Sequence, residues 1–185
     1  MVRKLLTYMI LYGICAILLI PLKAAAESDG PAEYTVKATL LYKLSKFVKW
    51  PPEAFDKPDA PITLCIIGHD PFEEALNSIK GKRVQGRPFL IGKPSDILSA
   101  GGCHILFVSA SEKENLSTVL SKLKNRFTLT VSEIEGFARQ GGMINFIIAE
   151  KKIRLEVNLA VAKRAGLKIS SRLLKLAKII NDNTR

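Results

Sequence analysis

The chain has 185 residues, a formal net charge of +11 and 48% hydrophobic residues. This length and apolar content are enough for one domain that buries a sizeable core, so no second domain is expected. The sequence contains no internal repeat, low-complexity tract or long linker, which excludes a repeat protein.

The N-terminus has the features of a secretory signal peptide. Arg3 and Lys4 precede a largely apolar stretch, residues 5–20, and a run of alanines ends at Ala26. The alternative is an uncleaved membrane anchor, but the stretch falls short of the roughly 20 residues that a spanning helix needs. We therefore expect residues 1–26 to be removed, together with Cys15, and residues 27–185 to form an exported α/β domain.

The exported domain is basic. Removing Arg3, Lys4 and Lys23 leaves 25 Lys and Arg against 17 Asp and Glu, a net charge of +8. An exported basic protein meets anionic lipid headgroups or acidic protein surfaces, so nucleic acid is not an expected partner. The alternative is that the lysines only keep the surface soluble.

The first half of the domain alternates between helix and strand patterns. Residues 31–49 predict a helix, with Val36, Leu40, Leu44 and Phe47 at helical spacing. The continuous apolar run 62–68 is typical of a strand buried on both faces. A helix is predicted directly after it, over 70–81, with Asp70 as its N-cap.

The second half repeats this alternation and then departs from it. Strands are predicted over 87–92, 103–109 and 127–131, and a helix over 111–126 that begins with a Ser111–Glu114 capping box. Residues 143–158 predict an antiparallel hairpin, because they leave no room for a crossover helix. A basic amphipathic helix is predicted over 170–181. The fold class is therefore α/β: a single domain with a mainly parallel sheet flanked by helices, and an antiparallel C-terminal strand.

Ligand sites in such sheets gather where parallel strands end. His69 follows one predicted strand, and Ser109 and Ser111 follow another. We consider His69 as part of a ligand rim, with a helix-capping loop residue as the alternative. His104 lies inside a predicted strand and is interpreted as a hydrogen-bonded core histidine.

No catalytic or metal-binding pattern is found. The glycines of "VSEIEGFARQGGMINF", residues 131–146, precede a strand and do not open a helix, so we predict a turn and not a phosphate cradle. The two histidines have no second ligand at metal-binding spacing, and no G-x-S-x-G elbow occurs. No catalytic residue, metal or cofactor is assigned.

Cys65 and Cys103 are the cysteines of the exported domain. Two thiols in an oxidising compartment favour a disulfide over a metal site or a catalytic pair. Two free buried cysteines are the alternative.

Four residues are candidates for contact with a partner. Trp50 stands at a predicted helix end before two prolines, where it serves as a packing anchor or as an interface residue. Arg154 and Glu156 share one face of a predicted strand, and Arg172 lies in the final helix. The alternative for the charged residues is a solvated surface.

Six stretches of the exported domain resemble the YfiR family of bacterial proteins. They are "LLYKLSKFVKWPPEAF", "ITLCIIGHDPFEEAL", "GKRVQGRP", "CHILFVSASE", "LTVSEIEGFARQGGMINF" and "RLEVNLAVAKRAGLKISSRLLKLAKII". The resemblance implies a periplasmic, dimer-forming repressor that binds the periplasmic sensor domain of an inner-membrane diguanylate cyclase. Cyclic-di-GMP synthesis and biofilm formation then fall, and an outer-membrane lipoprotein can sequester the repressor.

The resemblance also bears on the cysteines. Relatives can carry a disulfide at the positions of Cys65 and Cys103, whereas a second, C-terminal cysteine pair of better-known members is absent here. Two other hypotheses stay open: a periplasmic sensor that binds a small molecule at the rim near His69 and Trp50, and a hydrolase built on His69 with Ser109 or Ser111.

Overall fold

The computed structural model describes residues 30–94, 102–123 and 127–181. Within them lie four α-helices, ten strands and several short 3-10 segments. The helices are α1 (Gly30–Phe47), α2 (Leu116–Lys122), α3 (Leu159–Arg164) and α4 (Ser171–Leu174). The strands are β1 (Val48–Lys49), β2 (Ile62–Ile67), β3 (Arg83–Val84), β4 (Arg87–Gly92), β5 (Ile105–Val108), β6 (Leu129–Ser132), β7 (Ile144–Ala149), β8 (Lys152–Asn158), β9 (Lys168–Ile169) and β10 (Ala177–Ile180). The predicted signal peptide, residues 1–26, lies outside the described residues.

Eight of these strands form one sheet in the order β10-β8-β7-β6-β5-β2-β4-β3. Strands β4, β2, β5, β6 and β7 are parallel, β8 is antiparallel to β7, and β10 is parallel to β8. The short strands β1 and β9 pair separately. The predicted fold class, a mainly parallel α/β sheet with an antiparallel C-terminal strand, is confirmed.

Apolar side chains cover both faces of the sheet. In β5, Ile105 and Phe107 point to the core under α1, and Leu106 and Val108 point to the core under α2. Each of the four is fully buried. This is why the strand was recognisable from a continuous apolar run: neither face of a central parallel strand meets water.

The buried face of α1 differs from the predicted one. Ala38, Leu41 and Leu44 are buried, whereas Val36 is 50% exposed. The cause is Lys37, which turns toward the sheet because its ammonium contacts Glu133. Neighbouring residues on a helix point about 100° apart, so burying Lys37 moves Val36 toward solvent.

Both helix starts predicted from capping residues were wrong. Residues 73–78 form a 3-10 turn, and Asp70 instead accepts a hydrogen bond from the Phe72 N–H at 2.9 Å. Glu73 has a φ of 45°, which an α-helix does not accommodate. In the second case α2 begins only at Leu116, because the Ser111 hydroxyl accepts from the main-chain N–H of His69 and does not cap a helix.

The predicted C-terminal helix was also wrong. Only the single turn α4 is helical, and the chain then extends as β10 along the edge of β8. Strand pairing satisfies main-chain groups of β8 that a helix at this position would leave open, and it buries Ile180. In place of the helix predicted over residues 170–181, the structure has the single turn α4 and the strand β10.

The hairpin and the glycine turn are confirmed. β7 and β8 are joined at Glu150 and Lys151, whose φ values of 53° and 56° fit a tight two-residue turn. Before β7, Gly141 has a φ of +98°, and a Cβ on Gly142 would lie 2.1 Å from the Phe137 ring. Glycine is required at both positions, one for its backbone angle and the other for the close ring.

Candidate functional site

A disulfide joins Cys65 of β2 to Cys103, which precedes β5. Their Cα atoms are 5.8 Å apart, and both residues are buried in the core beneath α2. β2 and β5 are neighbours in the sheet, so the bond links two strands that already pair. The predicted pairing is confirmed.

Trp50 and His104 pack together at the amino-terminal edge of the parallel strands. Trp50 is 9% exposed and donates its indole N–H to the His104 main-chain oxygen at 3.3 Å. The imidazole stacks on Phe55 with ring centroids 4.6 Å apart. Trp50 is therefore a packing anchor in this fold.

Both nitrogens of His104 have main-chain partners, as predicted for a core histidine. Nδ1 lies 3.2 Å from the Thr63 N–H and can only accept from it, so Nε2 carries the proton and donates to the Ala54 oxygen at 3.0 Å. Burial lowers the pKa of His104 because a charged imidazolium would lose hydration there. The ring is neutral at neutral pH.

A cavity of about 400 Å³ opens beside this histidine. Its walls include the rings of Phe55, His104 and Phe127, the hydroxyl-bearing residues Thr63 and Thr128, and Cys103 of the disulfide. The cavity lies at the amino-terminal ends of β2, β5 and β6. The sequence suggested the opposite edge of the sheet.

His69 lies at the carboxyl-terminal edge, exposed to solvent and away from Trp50. Ser111 accepts a hydrogen bond from the main-chain N–H of His69, not from its ring, and Ser109 is buried. The structure therefore separates His69 from Trp50, which the sensor hypothesis placed together. Among the described residues, no group of three His, Cys, Asp or Glu side chains is arranged to hold a metal.

A buried ionic cluster, which was not predicted from the sequence, lies at the same edge. Lys37 of α1 is 3% exposed, and its ammonium contacts the carboxylates of Glu33 and Glu133. Glu133 follows β6, so the cluster fastens α1 to the end of a central strand. The i, i+4 spacing of Glu33 and Lys37 was visible in the sequence, but a pair at this spacing is usually exposed.

Tyr34 completes this cluster. Its hydroxyl donates to Glu133 at 2.9 Å, and the Lys37 ammonium lies 4.6 Å from the centre of its ring. Burial, reinforced by the hydrogen bond and the charge of Glu133, raises the pKa of Tyr34 to about 12. The phenol therefore stays protonated and remains a donor to the carboxylate at neutral pH.

The residues predicted to contact a partner differ in accessibility. Arg172 is exposed, and the Arg154 side chain is 52% exposed and pairs with Glu150 at 3.5 Å. The Glu156 side chain is only 7% exposed and lies 3.3 Å from Lys178. Arg154 and Glu156 lie on one strand face, as expected, but they do not pair with each other. Partner contact through Trp50, Arg154, Glu156 and Arg172 stays a prediction.

An apolar groove lies between the N-terminal half of α1 and the β7–β8 hairpin. We call it the α1–hairpin groove; its volume is about 670 Å³. It is lined by Ala32, Glu33, Val36, Leu40, Ile148, Lys151, Lys152 and Ile153. Val36 and Ile148 are 50% and 61% exposed. The sequence prediction missed this surface because it assigned Val36 and Leu40 to the core.

A comparison with protein families places these features in a known group. A family model described as YfiR/HmsC-like matches residues 34–178 of the 185-residue chain. The match begins within α1 and ends within β10, so it includes the disulfide, the whole hairpin, and Tyr34, Lys37 and Glu133 of the buried cluster. No helix in the described part of the chain is long and apolar enough to cross a membrane.

Proposed function

The chain belongs to the YfiR/HmsC-like family, and on that premise we propose that it represses cyclic-di-GMP synthesis by binding the periplasmic sensor domain of a membrane diguanylate cyclase. The family consists of periplasmic regulators of cyclic-di-GMP signalling and is not a family of enzymes. The proposed role is accordingly non-enzymatic, with lower biofilm formation as its result.

The observation that carries the proposal is the α1–hairpin groove. A folded domain with two well-buried cores still leaves Val36 and Ile148 largely open to water. Clustered exposed apolar side chains are typical of surfaces that bind another macromolecule. Binding alone is sufficient for repression, because a protein that prefers the inactive state of the cyclase shifts the population toward that state.

Deleting the gene tests this proposal. Cyclic-di-GMP and surface attachment should rise in the deletion strain and return to their original levels when the gene is restored. The control is a strain that also lacks the partner cyclase, in which deletion should have no effect. Unchanged cyclic-di-GMP in the single deletion would rule out the repressor role.

A small-molecule sensor is the second candidate, and the cavity at His104 favours it. Besides its aromatic rings, the cavity is lined by the acidic residues Glu53 and Asp56, so it suits a small planar ligand that also carries polar groups. Trp50 is the only tryptophan and adjoins His104, so its fluorescence should respond to an occupant. If no periplasmic metabolite changes this fluorescence or the melting temperature, the sensor hypothesis is excluded.

Two further partners come from the family resemblance: a second copy of the chain in a homodimer, and an outer-membrane lipoprotein. Both stay predictions. Light scattering of the purified protein tests the first, and pull-down from envelope fractions tests the second.

A further inference from the structure

The α1–hairpin groove combines apolar walls with a cationic rim. Val36 and Leu40 line it from α1, and Ile148 and Ile153 line it from the hairpin. Ile148 and Ile153 are direct cross-strand partners, so their side chains stand on the same face of the sheet as α1. The apolar contribution therefore comes from two elements and is not a single stray side chain.

The free charges at this groove are positive. Lys151 and Lys152 are exposed at the hairpin, and neither has an ion pair within the residues that the structure describes. The acidic residues nearby are already engaged, since Glu33 contacts Lys37 and Glu150 pairs with Arg154. A partner that covers the groove thus meets two uncompensated lysines.

From this charge and shape we propose that the α1–hairpin groove docks an acidic, amphipathic segment of the cyclase's periplasmic domain, an inference that rests on the proposed function. Aliphatic side chains of the segment fill the space between Val36 and Ile148. Carboxylates at its edge pair with Lys151 and Lys152. Charge complementarity of this kind selects the partner and speeds the encounter.

The same features disfavour two other occupants. A second copy bound through this groove about a two-fold axis would bring Lys151 and Lys152 toward the same basic surface of its partner. An anionic membrane suits the lysines, but its flat surface does not fill a concavity of about 670 Å³. A protruding protein segment satisfies both the charge and the shape.

Substitutions in the full-length protein test the groove. Ile148→Asp places a charge between the apolar walls, and the double variant Lys151→Glu, Lys152→Glu reverses the rim. Leu176→Asp is the matched control, because Leu176 is 76% exposed and does not line the groove. Each tagged variant is expressed in the native host, and the diguanylate cyclase recovered from solubilised membranes is quantified.

We expect wild type and Leu176→Asp to recover the cyclase equally, and both groove variants to recover about tenfold less, a change of about 1.4 kcal/mol in binding. Cyclic-di-GMP should rise in the groove variants to the level of the deletion strain. Equal recovery by Ile148→Asp would overturn the groove assignment while leaving the repressor function standing. Failure of wild type to recover any cyclase would remove the proposed function itself.

Two additional measurements separate the other occupants. A photo-crosslinking residue at position 148 should join the protein to the cyclase, and the same residue at position 176 should not. Crosslinking at position 148 only to a second copy would assign the groove to a homodimer and overturn the proposal. If the protein floats with phosphatidylglycerol vesicles and Ile148→Asp abolishes this flotation, the groove binds a membrane, and the proposal is overturned as well.

Discussion

Replacing Lys37 with Met should destabilise the protein strongly, although the Met side chain is similar in shape to the apolar stem of the lysine. The Lys37 side chain is 4% exposed, and its one positive charge is shared between Glu33 and Glu133, whose side chains are 19% and 15% exposed. Removing one partner of a buried ion pair costs about 3–5 kcal/mol, because the remaining charge loses its compensation. Here two carboxylates remain, but both keep some contact with water and Glu133 keeps the Tyr34 hydroxyl. We therefore expect the lower end, about 3 kcal/mol.

Urea unfolding measures this effect. With a slope of about 2 kcal/mol per molar urea, the midpoint should fall by about 1.5 M. The control is Lys43→Met on the same helix, where the lysine is exposed and the midpoint should hardly move. Adding Glu133→Gln to Lys37→Met should recover part of the loss, since one uncompensated charge is removed. A Lys37→Met midpoint equal to that of Lys43→Met would refute the reasoning.

Three other perturbations have defined outcomes. Because the pKa of His104 is lowered in the folded protein, the unfolded chain binds a proton at this residue more readily. The contribution of neutral His104 to the free energy of unfolding is therefore complete above about pH 6.5 and is lost as pH falls through the folded pKa, at up to about 1.4 kcal/mol per pH unit. Urea midpoints between pH 7 and 5 should show this slope, and His104→Gln should remove it. The double variant Cys65→Ser, Cys103→Ser should cost about 4 kcal/mol, because the bond spans 38 residues, and a reductant should lower the melting temperature of wild type only. Gly142→Ala should cost about 1–3 kcal/mol by calorimetry, because its Cβ meets the Phe137 ring, while Gly102→Ala, which meets nothing within 4 Å, serves as the control.

The sequence predicted the elements whose signal is local. Strands β2 and β5 follow from continuous apolar runs, and the hairpin follows from two such runs joined without space for a helix. The wrong predictions concern segments whose structure depends on a contact with residues far away in the sequence. Lys37 and Glu133 are 96 residues apart, so no window of sequence could show which face of α1 is buried.

The C-terminal segment shows the same limit. Residues 170–181 carry a helical apolar spacing, yet Ala177–Ile180 form a strand because the edge of β8 offers main-chain partners. Local helix propensity determined the structure only in the single turn α4. Likewise, the general rule about strand ends predicted a ligand rim at His69, whereas the cavity lies at His104. It is enclosed by Thr63 of β2, by the residues just before β5 and β6, and by residues 53–56.

The buried cluster and the exposed groove are two consequences of one helix orientation. Glu33 belongs to both, since it contacts Lys37 on one side and lines the groove on the other. Turning α1 by about one residue would bury Val36, but it would draw Lys37 away from Glu133 and expose the apolar residues that now face the sheet. Covering one half-exposed valine recovers at most about 1–1.5 kcal/mol, which is less than the roughly 3 kcal/mol lost with the ion cluster. The ionic contacts therefore hold an apolar surface open to water, and a surface held open in this way is available to a partner without any rearrangement of the fold.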